Sequence, residues 1–301
     1  MPCQGRTAAS GVLMSKHARV GFALLATAVL LITGCFSRRG NQVGPFPEAP
    51  PAPGVIVFAS DRDEGHSEIY VMQDDETQAV RLTFNSVGDA APLLSPDGTK
   101  ITFRRELNPS SVFVMNVDGT HQVGLAPGER AEWSRDGSKL ALVADTLGVM
   151  NSDGTGRHTF SVGASLVSWS PDGMKLAYVS TGVGGQHEDD VYVINSDGTS
   201  PVRITQDGVS KNSLAWSPDG AKILYSAVQA VYVMNPDGTG LGSPCAGRAA
   251  RWSPDGQRII FVTDAFDGDE EIYSIRIDGA DLRNMTQNSA NDTDPDWGPQ
   301  P

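Results

Sequence analysis

The chain of 301 residues sets 23 Lys and Arg against 36 Asp and Glu, a net charge of −13, and 39% of it is apolar. This acidic balance excludes nucleic acid as an expected ligand, because phosphate binding needs clustered positive charge. The apolar share, with 33 glycines, suits a turn-rich globular domain and excludes disorder for most of the chain.

A targeting segment comes first. Lys16, His17 and Arg19 precede an apolar run from Val20 to Ile32, and the first 34 residues contain no carboxylate. The remainder carries 20 basic and 36 acidic side chains, a net charge of −16. The apolar run falls well short of the roughly 20 residues that cross a bilayer, so it reads as a secretory signal, residues 1–34. Its end, Ile32-Thr33-Gly34-Cys35, is similar to the bacterial lipobox. That resemblance implies cleavage before Cys35 and lipid attachment to it, with an uncleaved anchor or plain secretion as the alternatives. The start is Met1 or Met14. Cleavage leaves Cys35 as lipid carrier and Cys245 as the other cysteine, so no intramolecular disulfide is expected. Pro45, Pro47, Pro50, Pro51 and Pro53 make residues 35–53 a tether holding a domain off a membrane. Phe36 after Cys35, where Asp would suggest inner-membrane retention, favours the outer membrane.

From Gly54 onward the sequence repeats at about 41 residues. Ser-Pro-Asp-Gly recurs with its Asp at 97, 172, 219 and 255, and as Ser-Arg-Asp-Gly at Asp136. Pro presets φ for a tight turn that Asp and Gly complete. Lys100, Lys139, Lys175, Lys222 and Arg258 follow these turns and are expected to pair with a carboxylate beside their strand. Two β-rich runs come next in each copy, the second leading into Asn-x-Asp-Gly-Thr, a hairpin signal. The stretch Val55–Met72 lacks a first strand, and Asp294-Pro295-Asp296-Trp297 supplies the missing piece. Six copies follow, in an all-β, six-bladed β-propeller closed by pairing the C-terminal strand with the N-terminal blade.

Trp-Ser-Pro-Asp-Gly, and Ser60-Asp61-Arg62-Asp63-Glu64-Gly65 leading to Glu68-Ile69-Tyr70-Val71-Met72, resemble the TolB-type β-propeller repeat family over residues 54–297. The family's prototype carries an α/β domain ahead of its propeller, where this chain has a tether. The resemblance implies a non-catalytic envelope protein whose propeller binds another protein, such as a basic or peptidoglycan-associated one. The alternative is a glycan- or metal-binding sensor or a lyase-like propeller. A third reading, a peptidase propeller without its catalytic domain, is expected to fail for catalysis because the sequence ends right after the closing strand.

Trp133, Trp169, Trp216, Trp252 and Trp297 share one repeat position, Leu94 taking the sixth, and read as blade packing, with a ligand-stacking platform as the lesser reading. Met72, Met115, Met150 and Met234 read as core. His66, His121, His158 and His187 lie on separate blades, so no converging metal set is expected, and no nucleophile elbow, P-loop or Cys-x-x-Cys occurs. Asp61, Asp63, Glu64, Asp264, Asp267, Asp269, Glu270, Asp292 and Asp294 are expected on one face, where blades one and six meet. That patch is a solvated face, a steering surface for a basic partner, or a Ca²⁺ site. The expected molecule is a monomeric lipoprotein facing the periplasm or cell surface.

Overall fold

Five of the six repeats carry a turn that closes on itself. In the first, the Ser95 hydroxyl donates to Asp97 Oδ1 at 2.6 Å and accepts from the Lys100 amide at 2.9 Å. The Thr99 amide donates to the same carboxylate at 3.0 Å. The same Ser–Asp bond recurs at Ser134, Ser170, Ser217 and Ser253. Serine therefore pegs the turn, which explains why Arg135 is tolerated where the other copies have proline. At Asp136 these bonds stabilise the ionised form and hold the carboxyl down to about 2. The second turn has a different demand. Gly238 sits at φ +84°, and a Cβ there would lie 2.3 Å from the Ile204 carbonyl of the preceding copy. Only glycine lets the Asn-x-Asp-Gly-Thr turn seat against its neighbour.

The computed structural model describes residues 54–299 except Glu64, residues 75–77, Gly184, His187 and residues 266–267. The signal segment, Cys35 and the tether lie outside the described residues, as do the candidate residues Glu64 and Asp267. Among the described residues there are six four-stranded antiparallel sheets. Their inner strands are Asp292–Pro299 in blade one, Asp89–Leu94 in two, Arg130–Trp133 in three, Ala164–Trp169 in four, Ser213–Trp216 in five and Arg248–Trp252 in six. Neighbouring inner strands touch all the way round, blade six meeting blade one. The chain is a six-bladed β-propeller. Blade one is built from both ends of this region: Asp292–Pro299 pairs with Gly54–Ser60, with Ile56 opposite Trp297.

The core lies between blades rather than within them. One cluster joins Val57 and Ile69 of blade one to Ile101, Phe103 and Met115 of blade two. Corresponding clusters fill every junction, and the last sets Ile56, Phe58 and Tyr70 of blade one against Ile260 and Val262 of blade six. Met72, Met115, Met150 and Met234 are all buried in these seams, as the repeat position implies. The basic residues after the turns behave differently from expectation. Lys100, Lys139 and Lys222 donate to Asn116, Asn151 and Asn235 of the second turn, Lys175 lies near Asp172 without a hydrogen bond to it, and Arg258 forms an ion pair with Asp281. The asparagine side chain stands where the strand register brings the amine, so the lysine ties the blade's two turns together.

A buried ion pair locks the closure. Asp292 is fully buried, and Arg62 donates to both of its oxygens at 2.8 and 2.9 Å while lying over the Phe58 and Tyr70 rings. Asn288 adds a third donor at 2.6 Å. Blade two repeats the device with Asp89 and Arg105. Removing one partner strands a buried charge, at a cost of about 3 kcal/mol with Arg62 partly exposed. Asp292→Ala should therefore lower the melting temperature by roughly 5–10 °C in calorimetry, with the folded β-sheet spectrum retained.

Candidate functional site

The acidic residues expected to form a patch divide into two groups. The Asp292 amide donates to the Glu270 carbonyl, and Asn291 donates to Asp61 through its amide and its side chain at 3.0 and 3.2 Å. Asp61, Glu270 and Asp292 thus meet at the junction of blades one and six. Most of their charge is already answered: Arg62 holds Asp292, Arg248 holds Glu270, and Asp63 accepts from the Tyr70 hydroxyl with Arg81 at 3.9 Å. Asp264 is exposed and Asp269 half-buried on the same face. Asp294 does not join them. Its backbone is left-handed, φ +49°, and the resulting bulge turns it to the axis of the ring beside Arg130 at 4.0 Å. Among the described residues no group of three His, Cys, Asp or Glu side chains has metal-holding geometry.

Three further carboxylates occupy a position that sequence reasoning missed. Glu68, Asp190 and Glu271 are buried at the starts of the third strands of blades one, four and six. Each accepts from a threonine, Thr83, Thr205 or Thr286. Arg81 and Arg203 add guanidinium donors to the first two. The signal was present as Arg-Leu-Thr, Arg-Ile-Thr and Asn-Met-Thr at one repeat position.

The main concavity lies on the opposite face, where the Ser-Pro-Asp-Gly turns ring the axis. It holds about 500 Å³, and all five tryptophans line it. Prolines of the turns, Pro96, Pro171, Pro218 and Pro254, form its rim. The tryptophans also hold the blades: the Trp133, Trp169 and Trp252 indoles donate to the Leu93, Glu132 and Ala215 carbonyls of the preceding blade. Trp216 has the same place in its repeat, yet its buried Nε1 finds no acceptor. The position before each tryptophan supplies the floor, with Glu132, Ser168, Ala215, Arg251 and Asp296 reaching the cavity from five blades.

Burial dominates the electrostatics of this floor. It pushes the Glu132 and Asp296 carboxyl groups above the usual carboxylate range, against the opposing pull of Arg251. Asp296 accepts from the Leu94 amide at 2.8 Å, and Arg251 donates to the Leu214 carbonyl at 3.1 Å. Glu132 Oε2 is buried without a partner. Beyond the floor the axis narrows to a void of about 10 Å³, room for about one water. Ala91, Ala249 and Asp294 stand there, all left-handed and all three places before the tryptophan position.

With this geometry in place, comparison with solved structures is informative about the fold. The crystal structure of TolB from Acinetobacter baumannii superposes with a TM-score of 0.68 at 16% identity, over 82% of this chain and 67% of that one. The fold is of the TolB type. A chain of the nidogen/laminin complex reaches 0.64 at 10% identity, over 82% and 98% of the two chains. Hydrazine synthase of Kuenenia stuttgartiensis reaches 0.54 at 14% identity, over 80% and 81%. No protein-family model and no curated protein matches the chain. At these identities the TolB-type likeness concerns architecture alone, and function must be argued from the site.

The buried carboxyl of Glu132 gives a pH signature. A carboxyl whose folded pKa is raised costs stability as pH climbs from its unfolded value, about 4.3, through the folded one. Glu132→Gln should therefore unfold at a higher urea concentration than wild type at pH 7.5, and the two should converge near pH 4.

Proposed function

We propose that this chain is a non-catalytic envelope lipoprotein whose propeller presents its cavity-bearing face to another protein. The supporting observation is the cavity itself: about 500 Å³, walled by tryptophans and rimmed by prolines, on a face free of long loops. Aromatic anchors around a concave, largely desolvated centre are what a binding hot spot requires. The acidic seam of blades one and six is less suited to that role, because Arg62 and Arg248 already pair with Asp292 and Glu270. Its more accessible members, exposed Asp264 and half-buried Asp269, can steer a basic partner or contribute oxygens to Ca²⁺.

Crosslinking of the full chain in intact cells tests this reading. A partner recovered reproducibly with wild type should be lost with Pro171→Glu on the cavity rim and retained with Asp264→Asn and Asp269→Asn. The opposite pattern would move the interface to the acidic face. A second reading, a glycan-binding or lyase-like propeller, draws on the same tryptophans around two carboxyl groups with raised pKa; turnover of an oligosaccharide by the purified chain would favour it. The lipid anchor is a separate matter. Cys35→Ala should abolish fatty-acid labelling and release the protein from membranes, and unchanged labelling would remove the anchor from the proposal.

A further inference from the structure

Five ionisable side chains meet along the axis of the ring: Arg130 and Arg251 against Glu132, Asp294 and Asp296. Ionised together, they leave one negative charge unmatched, and the geometry locates it. Asp294 faces Arg130, and Asp296 faces Arg251 at 4.0 Å and takes the Leu94 amide. Glu132 is the carboxylate without a guanidinium of its own: Ser168 hydrogen-bonds it, and Arg251 and Arg130 attract it only from a distance. Its Oε2 is shielded from solvent and accepts no hydrogen bond, while Arg251 Nη1 is engaged by the Leu214 and Ala250 carbonyls. A buried carboxylate oxygen without a donor carries its full desolvation cost. A cation placed beside it would offset that cost.

The surroundings fit such a group. Trp133, Trp169, Trp216 and Trp252 line the space above Glu132, and aromatic rings attract cations while their breadth suits an apolar stem. The mouth carries a cation of the chain's own. Arg135 replaces the turn proline in blade three, is exposed, and reaches past blade four to donate to the Pro218 carbonyl of blade five at 3.4 Å. It bridges the opening but is held by Pro218 rather than by Glu132.

We infer that the axial cavity is a binding site for one cationic head group, an ammonium or guanidinium on an apolar stem, which enters past Arg135 and pairs with Glu132. The group arrives as a Lys or Arg side chain of a protein or as a free small amine; the recognising chemistry is the same. This inference goes beyond the protein-binding reading and stands without it.

The five tryptophans of the chain all line the cavity, so the intrinsic fluorescence of the full-length protein reports on this site. Titration with Nα-acetyl-lysine amide should give a saturable change in the millimolar range or below. The neutral isostere Nα-acetyl-norleucine amide should bind about tenfold more weakly, the loss of one charge-assisted hydrogen bond. Cadaverine, as the free amine, shows which source the site prefers: tighter binding of cadaverine favours a small amine, and tighter binding of the lysine derivative favours a side chain. Glu132→Gln should weaken the cationic probes by a similar factor. Arg135→Ala, at an exposed turn pegged by Ser134, should tighten them severalfold by removing a like charge from the mouth. Equal binding of the neutral isostere, or no saturable change in wild type at tens of millimolar, would overturn the inference, as would an unaltered affinity in folded Glu132→Gln. If that variant does not fold, the isostere comparison and Arg135→Ala decide. A chain that binds the amine yet crosslinks to no protein would sink the partner reading alone.

Discussion

Closure of the ring is the constraint from which the rest follows. A four-stranded sheet with apolar residues on both faces cannot stand alone in water, and every hydrophobic cluster here is shared by two blades. Blade one has two such junctions only because Asp292–Pro299 completes it from the far end of the propeller region. The Arg62–Asp292 pair sits where that strand begins, so a fully buried carboxylate and its guanidinium guard the joint. A closed ring also shelters the inner edge of every sheet and collects six inner strands around one axis. The cavity is the space that these converging strands leave around the axis, walled by tryptophans.

The architecture was legible because the turn chemistry repeats. Ser-Pro-Asp-Gly and Asn-x-Asp-Gly-Thr mark each hairpin by residues whose side chains or missing Cβ are physically required, and requirement produces recurrence. The tryptophans were equally visible, and their role as blade packing is seen in the indole bonds from Trp133, Trp169 and Trp252 to the preceding blade. Their second role, as the wall of a cavity, was legible only as the lesser, ligand-stacking reading. It depends on the residue just before each tryptophan, where Glu132, Ser168, Ala215, Arg251 and Asp296 share no property. Recurrence reveals scaffolds, and a site built from non-recurring residues at a recurring position escapes it.

Acidity misled in a related way. Carboxylates close in sequence to exposed loops suggested one surface patch, but several of them serve the interior. Asp292 anchors a strand through Arg62, and Asp294 is carried to the axis by a left-handed bulge that a strand pattern does not announce. Glu68, Asp190 and Glu271 each cap a threonine from a neighbouring strand. Part of the surplus negative charge therefore lies inside the blades, matched locally by guanidinium and hydroxyl donors.

Arg135 carries a consequence for symmetry. A propeller of identical blades would present its axial ligand with six equivalent rotational settings, and a bound group would be free to occupy any of them. Here one turn alone extends a guanidinium across the opening, and the floor beneath offers a different side chain at each step around the axis. The left-handed residues, Ala91, Ala249 and Asp294, all fall on the consecutive blades six, one and two. A group entering the axis would therefore meet a different environment at each azimuth, so a repeating scaffold acquires a direction.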